Sequence, residues 1–127
     1  MNPAGLRLVD SHAHIQTQAF EKDGDEVLAA AIEAGVERIL VPGFDIPTTH
    51  QGIDFARRHD LRTTVGIHPH VADTVDEAMW AEVEELARHE LVVGIGETGL
   101  DYDRGFSSRE DQLRNLERHI TLAYETG

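Results

Sequence analysis

Two histidines and one glutamate stand directly after predicted strands, where the side chains of a parallel sheet can meet. His12 and His14 follow the first apolar segment, and Glu97 follows the apolar run 91–95, with Gly96 allowing a tight exit from that strand. Imidazole and carboxylate groups are ligands of divalent cations. Because the carboxyl ends of parallel strands share one edge of a sheet, the pattern predicts a metal site at the mouth of an α/β barrel.

The spacing within each motif bears on how an ion is held. His12 and His14 are two residues apart, so in a continuing strand both rings point to the same side and can share one ion. A His-x-His pair alone is weak evidence, and the alternative is a structural role. Glu97 ends an apolar run, where an ionised carboxylate needs a partner such as a metal ion, unless it is simply exposed on a loop. A carboxylate can also bridge two ions about 3.5–4 Å apart, as in phosphodiester and amide hydrolysis.

Further polar candidates follow the third and fourth predicted strands. His68 and His70 lie at the tip of the third strand. We expect His68 to contact an anionic substrate or to position a water, which would make it catalytic together with Glu97. For His70, substrate binding and bracing of a loop both stay open. Tyr102 is expected to line the substrate pocket or to pack against the glycine-rich turn.

Three aspartates are candidates for supporting roles. Asp10 either orients a histidine ligand or bonds only to nearby backbone amides. Asp101 is expected to support the glycine-rich turn after the fourth strand, and Asp45 is open between a pocket residue and a turn former. The remaining histidines fall within or at the ends of helices, where we expect them to be solvated or to pair at a helix end: His50, His59, His89 and His119.

The composition excludes several classes of protein. The formal net charge of −13 argues against a general polyanion-binding surface, so metal ions would have to offset the charge of a phosphodiester at the site. The absence of Cys excludes disulfides and zinc-thiolate sites. No apolar run approaches the roughly 18 residues of a membrane span, and residues 1–5 lack the pattern of a signal peptide. We therefore expect a cytoplasmic protein without a membrane partner.

Strand-like and helix-like segments alternate along the whole chain. The predicted strands are 6–9, 36–41, 61–67 and 91–95. The predicted helices begin at Asp25, at Pro47, at a capping box from Thr74 to Glu77, and at a second box from Ser107 to Glu110. This alternation predicts an α/β fold with a parallel sheet and right-handed crossovers. Four βα units are half of a closed eight-stranded TIM-type barrel, so residues 1–127 are expected to form a single partial domain.

Apolar periodicity also predicts which helix faces are buried. In the first helix the predicted buried residues are Val27, Leu28, Ala31 and Ile32. In the fourth helix they are Leu113, Leu116, Ile120, Ala123 and Tyr124. Gly52 is expected to weaken the second helix.

Four motifs, taken together, resemble the N-terminal signatures of the TatD family of metal-dependent hydrolases. They are Val9-Asp10-Ser11-His12-Ala13-His14, Val41-Pro42-Gly43, Val65-Gly66-Ile67-His68-Pro69-His70, and Gly94-Ile95-Gly96-Glu97-Thr98-Gly99-Leu100-Asp101-Tyr102. The resemblance covers the whole chain and implies an amidohydrolase-like βα barrel with divalent-metal phosphodiesterase activity, commonly on DNA. One departure is Gln16, where the family often has Asp.

By the same resemblance, His12 and His14 match the ligand pair of a first metal, and Glu97 matches an acid shared between two metals. The cofactors implied are two divalent ions per complete site, Mg²⁺, Mn²⁺ or Zn²⁺. The remaining ligands would belong to a second half of the barrel.

Two alternatives stay open. The first is another hydrolase of the same superfamily, acting on an ester, lactone or amide. The second is a catalytically incomplete half-barrel that self-associates through its open sheet edges.

Overall fold

The computed structural model describes residue 5 and residues 7–127. The first residue of the first predicted strand, Leu6, lies outside the described residues, as do residues 1–4, where the sequence predicts no signal peptide. Within the described part of the chain, no helix is both long and apolar enough to cross a membrane.

Four parallel strands form one sheet in the order in which they occur along the chain. They are β1 (Leu8–Asp10), β2 (Val36–Pro42), β3 (Arg62–Val65) and β4 (Val92–Ile95). The helices that alternate with them are α1 (Gly24–Glu33), α2 (Ile46–His59), α3 (Glu77–Leu86) and α4 (Arg109–Thr126). Short 3₁₀ helices occupy Gln18–Phe20 and Pro69–Thr74. The α/β fold with four βα units is therefore confirmed.

Backbone hydrogen bonds continue past the strands and join the loops at their carboxyl ends. The amide of Ala13 donates to the carbonyl of Leu40 at 3.1 Å, and the amide of His68 donates to the carbonyl of Phe44 at 2.8 Å. The amide of Glu97 donates to the carbonyl of Gly43 at 2.7 Å. The loops that carry the candidate residues are thus bonded to β2 or to the segment that follows it.

Side-chain caps decide where the helices begin. The carboxylate of Asp45 accepts the amide of Thr48 at 2.8 Å, which completes a capping box and starts α2 one residue before Pro47. The predicted box beginning at Thr74 is wrong, because the Thr74 hydroxyl donates to the carbonyl of Val71 instead. Asp76 caps α3 by accepting the amide of Met79 at 2.8 Å.

The cap of α4 is displaced by one residue from the prediction. Ser108, rather than Ser107, is the N-cap, and its hydroxyl oxygen accepts the amide of Asp111 at 3.1 Å. The Ser107 hydroxyl is buried and lies 3.1 Å from both the carbonyl of His70 and a carboxylate oxygen of Asp73. Ser107 therefore joins the loop after β3 to the start of α4, and it is not free to cap the helix.

Two apolar clusters fill the space between the sheet and the helices. One contains Ile53, Val65, Ile67, Trp80, Val83, Leu86 and Leu122. The other contains Ile15, Leu28, Ile39, Val41 and Phe55. Gly52 allows α2 to approach the sheet closely, because a Cβ there would lie 2.3 Å from the Thr63 hydroxyl oxygen. The glycine that appeared to weaken α2 is therefore required by its packing.

The predicted buried face of α4 is wrong. Leu113, Ile120 and Tyr124 are 45%, 49% and 87% exposed, whereas the buried residues are Gln112, Asn115, His119 and Leu122. The physical reason is that α4 faces loops with unpaired backbone groups, which polar side chains satisfy and apolar ones do not. Ile32 of α1 is likewise exposed at 56%, against expectation.

The burial of His119 contradicts the expectation that it is solvated and makes the stability of the fold dependent on pH. Burial lowers the pKa of His119, and a hydrogen bond to the carbonyl of Asn115 opposes this effect. The unfolded chain therefore binds a proton at higher pH than the folded chain does. The stabilisation from neutral His119 is present above its ordinary pKa of about 6.5 and is lost as pH falls through the depressed folded value.

We predict that the free energy of unfolding decreases between pH 7.5 and pH 5.5, and that His119→Gln reduces this decrease because glutamine does not titrate. Urea denaturation at both pH values measures the effect. His50→Gln, at an exposed histidine of α2, is the matched control and leaves the decrease closer to that of the parent chain. An unchanged pH dependence in His119→Gln would contradict the assignment.

Candidate metal centre

The loop after β1 brings two imidazole rings together. The carboxylate of Asp10 accepts the backbone amide of His12 at 3.0 Å, and the amide of Ala13 is bonded to β2. The ring of His14 packs edge-on against Phe44, with 5.4 Å between the ring centroids. Asp10 thus holds the backbone of a candidate ligand through its bond to the His12 amide.

Close backbone packing fixes the position of Glu97. The amide of Gly96 donates to the carbonyl of Val65 at 2.8 Å, and the Thr64 hydroxyl donates to the carbonyl of Gly96 at 2.6 Å. Gly66 lies directly against this segment, because a Cβ on it would lie 2.4 Å from the carbonyl carbon of Gly96 and 2.6 Å from the carbonyl oxygen of Glu97. Only a glycine at 66 permits this approach without a shift of the backbone.

Three donor atoms from these two loops converge. His12 Nε2 lies 3.1 Å from His14 Nε2 and 3.1 Å from Glu97 Oε1, and His14 Nε2 lies 2.7 Å from the same oxygen. Despite these short distances, Glu97 Oε1 is buried and has no properly directed hydrogen bond from the described residues. Lone pairs so arranged repel one another unless a proton or a cation lies between them. The three residues form a group able to hold a metal ion.

The separations of the donor atoms are short enough for one shared ion. His12 Nε2, His14 Nε2 and Glu97 Oε1 lie 2.7 to 3.1 Å apart. Ligands of one ion at metal–ligand distances of about 2.0–2.1 Å lie about 3 Å from one another. The arrangement therefore fits a single cation held by the three residues.

His68 stands on the other side of the Glu97 carboxylate. Its Nε2 lies 3.9 Å from Glu97 Oε2, and its Nδ1 accepts the backbone amide of His70 at 3.1 Å. Because Nδ1 is an acceptor, a neutral His68 carries its proton on Nε2. Burial, with the nearby ring of His70 as the next cause, lowers the pKa of His68 and favours this neutral form.

His70 and Asp101 link the loops after β3 and β4. His70 Nε2 lies 2.5 Å from a carboxylate oxygen of Asp101. The backbone amide of Arg104 and then the His70 side chain lower the pKa of Asp101, so that carboxyl is ionised near neutrality. The ring of His70 also packs edge-on against that of Phe106, with 4.9 Å between centroids. The contacts of His70 within the chain are those of a residue that braces loops.

Tyr102 is 42% exposed and borders a cleft of about 420 Å³ that His68 and Glu97 also line. The guanidinium of Arg109 lies 4.3 Å from the centroid of its ring.

Asp45, which caps α2, also lines a smaller hollow beside His14 and His68. Both arrangements considered for Asp45 are therefore present.

The other helix histidines, which were expected to be solvated or to pair at a helix end, all have partners within the chain. His50 Nε2 lies 2.7 Å from Glu82, His59 Nε2 lies 2.8 Å from Asp25, and His89 Nδ1 accepts the amide of Leu91 at 3.1 Å.

Gln16, at the departure from the family pattern, is buried and donates to the carbonyl of Pro42 at 2.7 Å. Sequence reasoning missed Gln112, Asn115 and His119, whose only sequence signal is three polar residues at helical spacing.

Comparison with known proteins decides the family. The profile described as TatD related DNase matches residues 9–127. The chain belongs to this TatD family, as its sequence motifs indicated. A relative from Bacillus subtilis, named as the uncharacterized metal-dependent hydrolase YabD, is 38% identical over 119 residues, which cover 93% of this chain and 47% of the relative. A relative from Salmonella typhimurium, named 3'-5' ssDNA/RNA exonuclease TatD, is 35% identical over 124 residues, which cover 93% and 46%.

Solved structures of TatD proteins share the fold. A TatD family hydrolase from Entamoeba histolytica superposes with a TM-score of 0.85 at 26% identity, covering 94% of this chain and 46% of that one. The TatD homolog YJJV from Escherichia coli superposes with a TM-score of 0.83 at 26% identity, covering 96% and 48%. The four βα units are those of a TIM-type barrel, and the chain spans about half the length of these relatives.

The convergence of donor atoms predicts that the chain binds Mn²⁺ and that Glu97→Gln weakens this binding at least about tenfold. The substitution keeps the shape of the side chain and removes the charge that offsets the cation. Isothermal titration calorimetry measures the affinity. Glu125→Gln, at an exposed residue near the end of α4, makes the same change of charge away from the site and serves as control. Equal affinity in both variants would contradict the assignment of the ligands.

Proposed function

We propose that this chain supplies one half of a divalent-metal-dependent hydrolase site that cleaves phosphodiester bonds of single-stranded nucleic acid, DNA in the first place. The observation that carries the proposal is the convergence of His12 Nε2, His14 Nε2 and Glu97 Oε1 within 3.1 Å at the carboxyl end of the sheet. A divalent cation bound there supplies positive charge to a phosphoryl oxygen and acidifies a water.

The two oxygens of Glu97 support a shared role for its carboxylate. Oε1 faces the His12 and His14 nitrogens, whereas Oε2 is turned towards His68 at 3.9 Å. One carboxylate thus has its oxygens directed to two different positions in the site. We infer that a complete site holds two divalent ions and that Glu97 contacts both, which is an arrangement suited to phosphodiester hydrolysis.

His68 is proposed to act on the substrate directly. Its neutral form carries a proton on Nε2, which lies 3.9 Å from Glu97 Oε2, and both residues line the cleft. From this position it donates a hydrogen bond to a phosphoryl oxygen, which stabilises the charge that develops in the transition state, or it orients the attacking water. His70, held by Asp101, and Tyr102 are proposed to border the bound nucleotide, since Tyr102 presents an exposed ring beside the cleft.

The charge of the chain sets a condition on this substrate. With a net charge of −13, the protein surface does not attract a polyanion over long distances. Binding therefore depends on the cations at the site and on local groups such as Arg109, which lies against the ring of Tyr102. We expect nucleic acid binding to require the metal, and the name of the Salmonella relative, an exonuclease of single-stranded DNA and RNA, supports that substrate class.

The open sheet edges bear on how the site is completed. β1 and β4 each pair with only one strand of the described sheet, and Val9 and Val93 on them are 69% and 57% exposed. We propose that residues 1–127 form one partial domain, and that closure of the barrel covers these edges and brings the remaining ligands. The 127-residue chain by itself is proposed to self-associate through the same edges.

We predict that the purified chain, with Mn²⁺ or Mg²⁺, releases nucleotides from a single-stranded DNA oligonucleotide in those fractions of a size-exclusion column that contain the associated form. Glu97→Gln should lower the rate at least about a hundredfold, because the carboxylate is required for the charge and position of the ions. Chromatographic separation of the released nucleotides measures the rate.

A panel of ester, lactone and amide substrates under the same conditions separates the proposal from another hydrolase of the superfamily. Hydrolysis of one of these compounds in preference to the oligonucleotide would contradict the nucleic acid assignment. An equal background rate in the parent chain and in Glu97→Gln, across all fractions, would contradict a working site in this chain alone.

A further inference from the structure

Three polar side chains on one face of α4 are almost completely buried. Gln112, Asn115 and His119 are 1%, 2% and 1% exposed, and their spacing places them on adjacent turns of the same face. Burial of polar groups costs free energy unless their hydrogen bonds are satisfied. Each of the three bonds to the backbone of a loop that carries candidate site residues, although Asn115 Oδ1 has no partner among the described residues.

Asn115 and His119 hold both backbone groups of Ile67. The Asn115 amide nitrogen donates to the carbonyl of Ile67 at 2.7 Å, and the amide of Ile67 donates to His119 Nε2 at 2.9 Å. His119 Nδ1 donates in turn to the carbonyl of Asn115 at 2.7 Å, which fixes a neutral ring with its proton on Nδ1. β3 ends at Val65. Two residues later, the backbone of Ile67 bonds to side chains of α4 rather than to a neighbouring strand.

Ile67 stands between two residues on which the candidate metal centre depends. Gly66 lies directly against the backbone of Gly96 and Glu97, where no Cβ would fit. His68 follows Ile67, and its amide is bonded to the carbonyl of Phe44 at 2.8 Å. A fixed Ile67 peptide therefore fixes both the surface that supports Glu97 and the start of the His68 side chain.

Gln112 makes the equivalent contact to the loop after β4. Its Oε1 accepts the amide of Asp101 at 2.7 Å, and its Nε2 donates to the carbonyls of Asp101 at 3.1 Å and Ser107 at 3.0 Å. The carboxylate of Asp101 then contacts His70. One helix face thus holds the loops after β3 and β4 in register with each other.

We propose that Asn115 and His119 are positioning residues, which set the placement of His68 and Glu97 in the metal centre by holding the peptide of Ile67. The metal part of this inference rests on the function proposed above, whereas the placement of the loop does not. An apolar pair of similar volume would fill the same space but would leave the amide and the carbonyl of Ile67 unpaired in the interior.

Two substitutions of His119 test the proposal. His119→Gln keeps an acceptor at the position of Nε2, because the glutamine side chain reaches as far as that ring nitrogen. His119→Leu fills the space without an acceptor. The control is Leu86→Ala, at a buried residue at the end of α3 that belongs to the same apolar cluster as the side chain of Ile67. It weakens the core without removing a hydrogen bond of the loop.

The readouts are amide hydrogen exchange of Ile67, His68 and Glu97 by NMR, the affinity for Mn²⁺, and the thermal midpoint. We expect His119→Leu to speed exchange of these amides at least about tenfold and to weaken Mn²⁺ binding about tenfold. His119→Gln should stay within about threefold of the parent chain in both. Leu86→Ala should lower the thermal midpoint with Mn²⁺ affinity unchanged.

A purely structural role for His119 gives a different result. In that case His119→Leu and Leu86→Ala both lower the thermal midpoint, and neither variant changes the exchange of the three amides or the affinity for Mn²⁺. That result overturns the proposal. If the parent chain itself binds no Mn²⁺, the proposed metal centre fails. The amide exchange of Ile67, His68 and Glu97 then decides the positioning role separately.

Discussion

Two imidazole nitrogens and one carboxylate oxygen lie within 3.1 Å of one another. Backbone contacts between the loops hold them in these positions. Such a group is unfavourable unless a proton or a cation lies between the donor atoms, because the lone pairs of His12, His14 and Glu97 otherwise face the same point. The free energy that holds them together comes from elsewhere in the chain.

The support consists mainly of backbone hydrogen bonds between loops. Segments after β1, β3 and β4 are bonded to residues of β2 or of the loop that follows it, at Leu40, Phe44 and Gly43. Gly66 allows the loop after β3 to lie against the segment that carries Glu97. α4 closes the arrangement from outside through the buried side chains described above. The site thus depends on contacts that extend from the buried side chains of α4, through the backbone around Ile67, to the segment that carries Glu97.

Much of this organisation is visible in the sequence, because it follows from periodicity and chain order. Alternating strands and helices imply a parallel sheet, and the carboxyl ends of its strands must share one edge, so the motifs at His12, His68 and Glu97 are expected to meet. The structure brings them together at that edge. The family follows from the same motifs and is confirmed by the match over residues 9–127.

What the sequence did not show are contacts between residues that are distant along the chain. Hydropathy assigns the apolar residues of α4 to the core, but the helix buries His119 because the amide of Ile67, 52 positions away, needs an acceptor. Thr74 and Asp76 both have the chemistry of a cap, and only the carbonyl of Val71, which takes the Thr74 hydroxyl, decides between them. Gly52 appears as a weak point of α2 until Thr63 is seen beside it.

The proposed metal centre depends on His12, His14 and Glu97 holding one divalent cation together. An anomalous difference map from crystals of this chain grown with Mn²⁺ tests this arrangement directly. We expect a peak about 2.0–2.3 Å from His12 Nε2, His14 Nε2 and Glu97 Oε1. A map with no peak among these three atoms, from a chain whose loops are ordered as described, would show that the three residues do not share a cation.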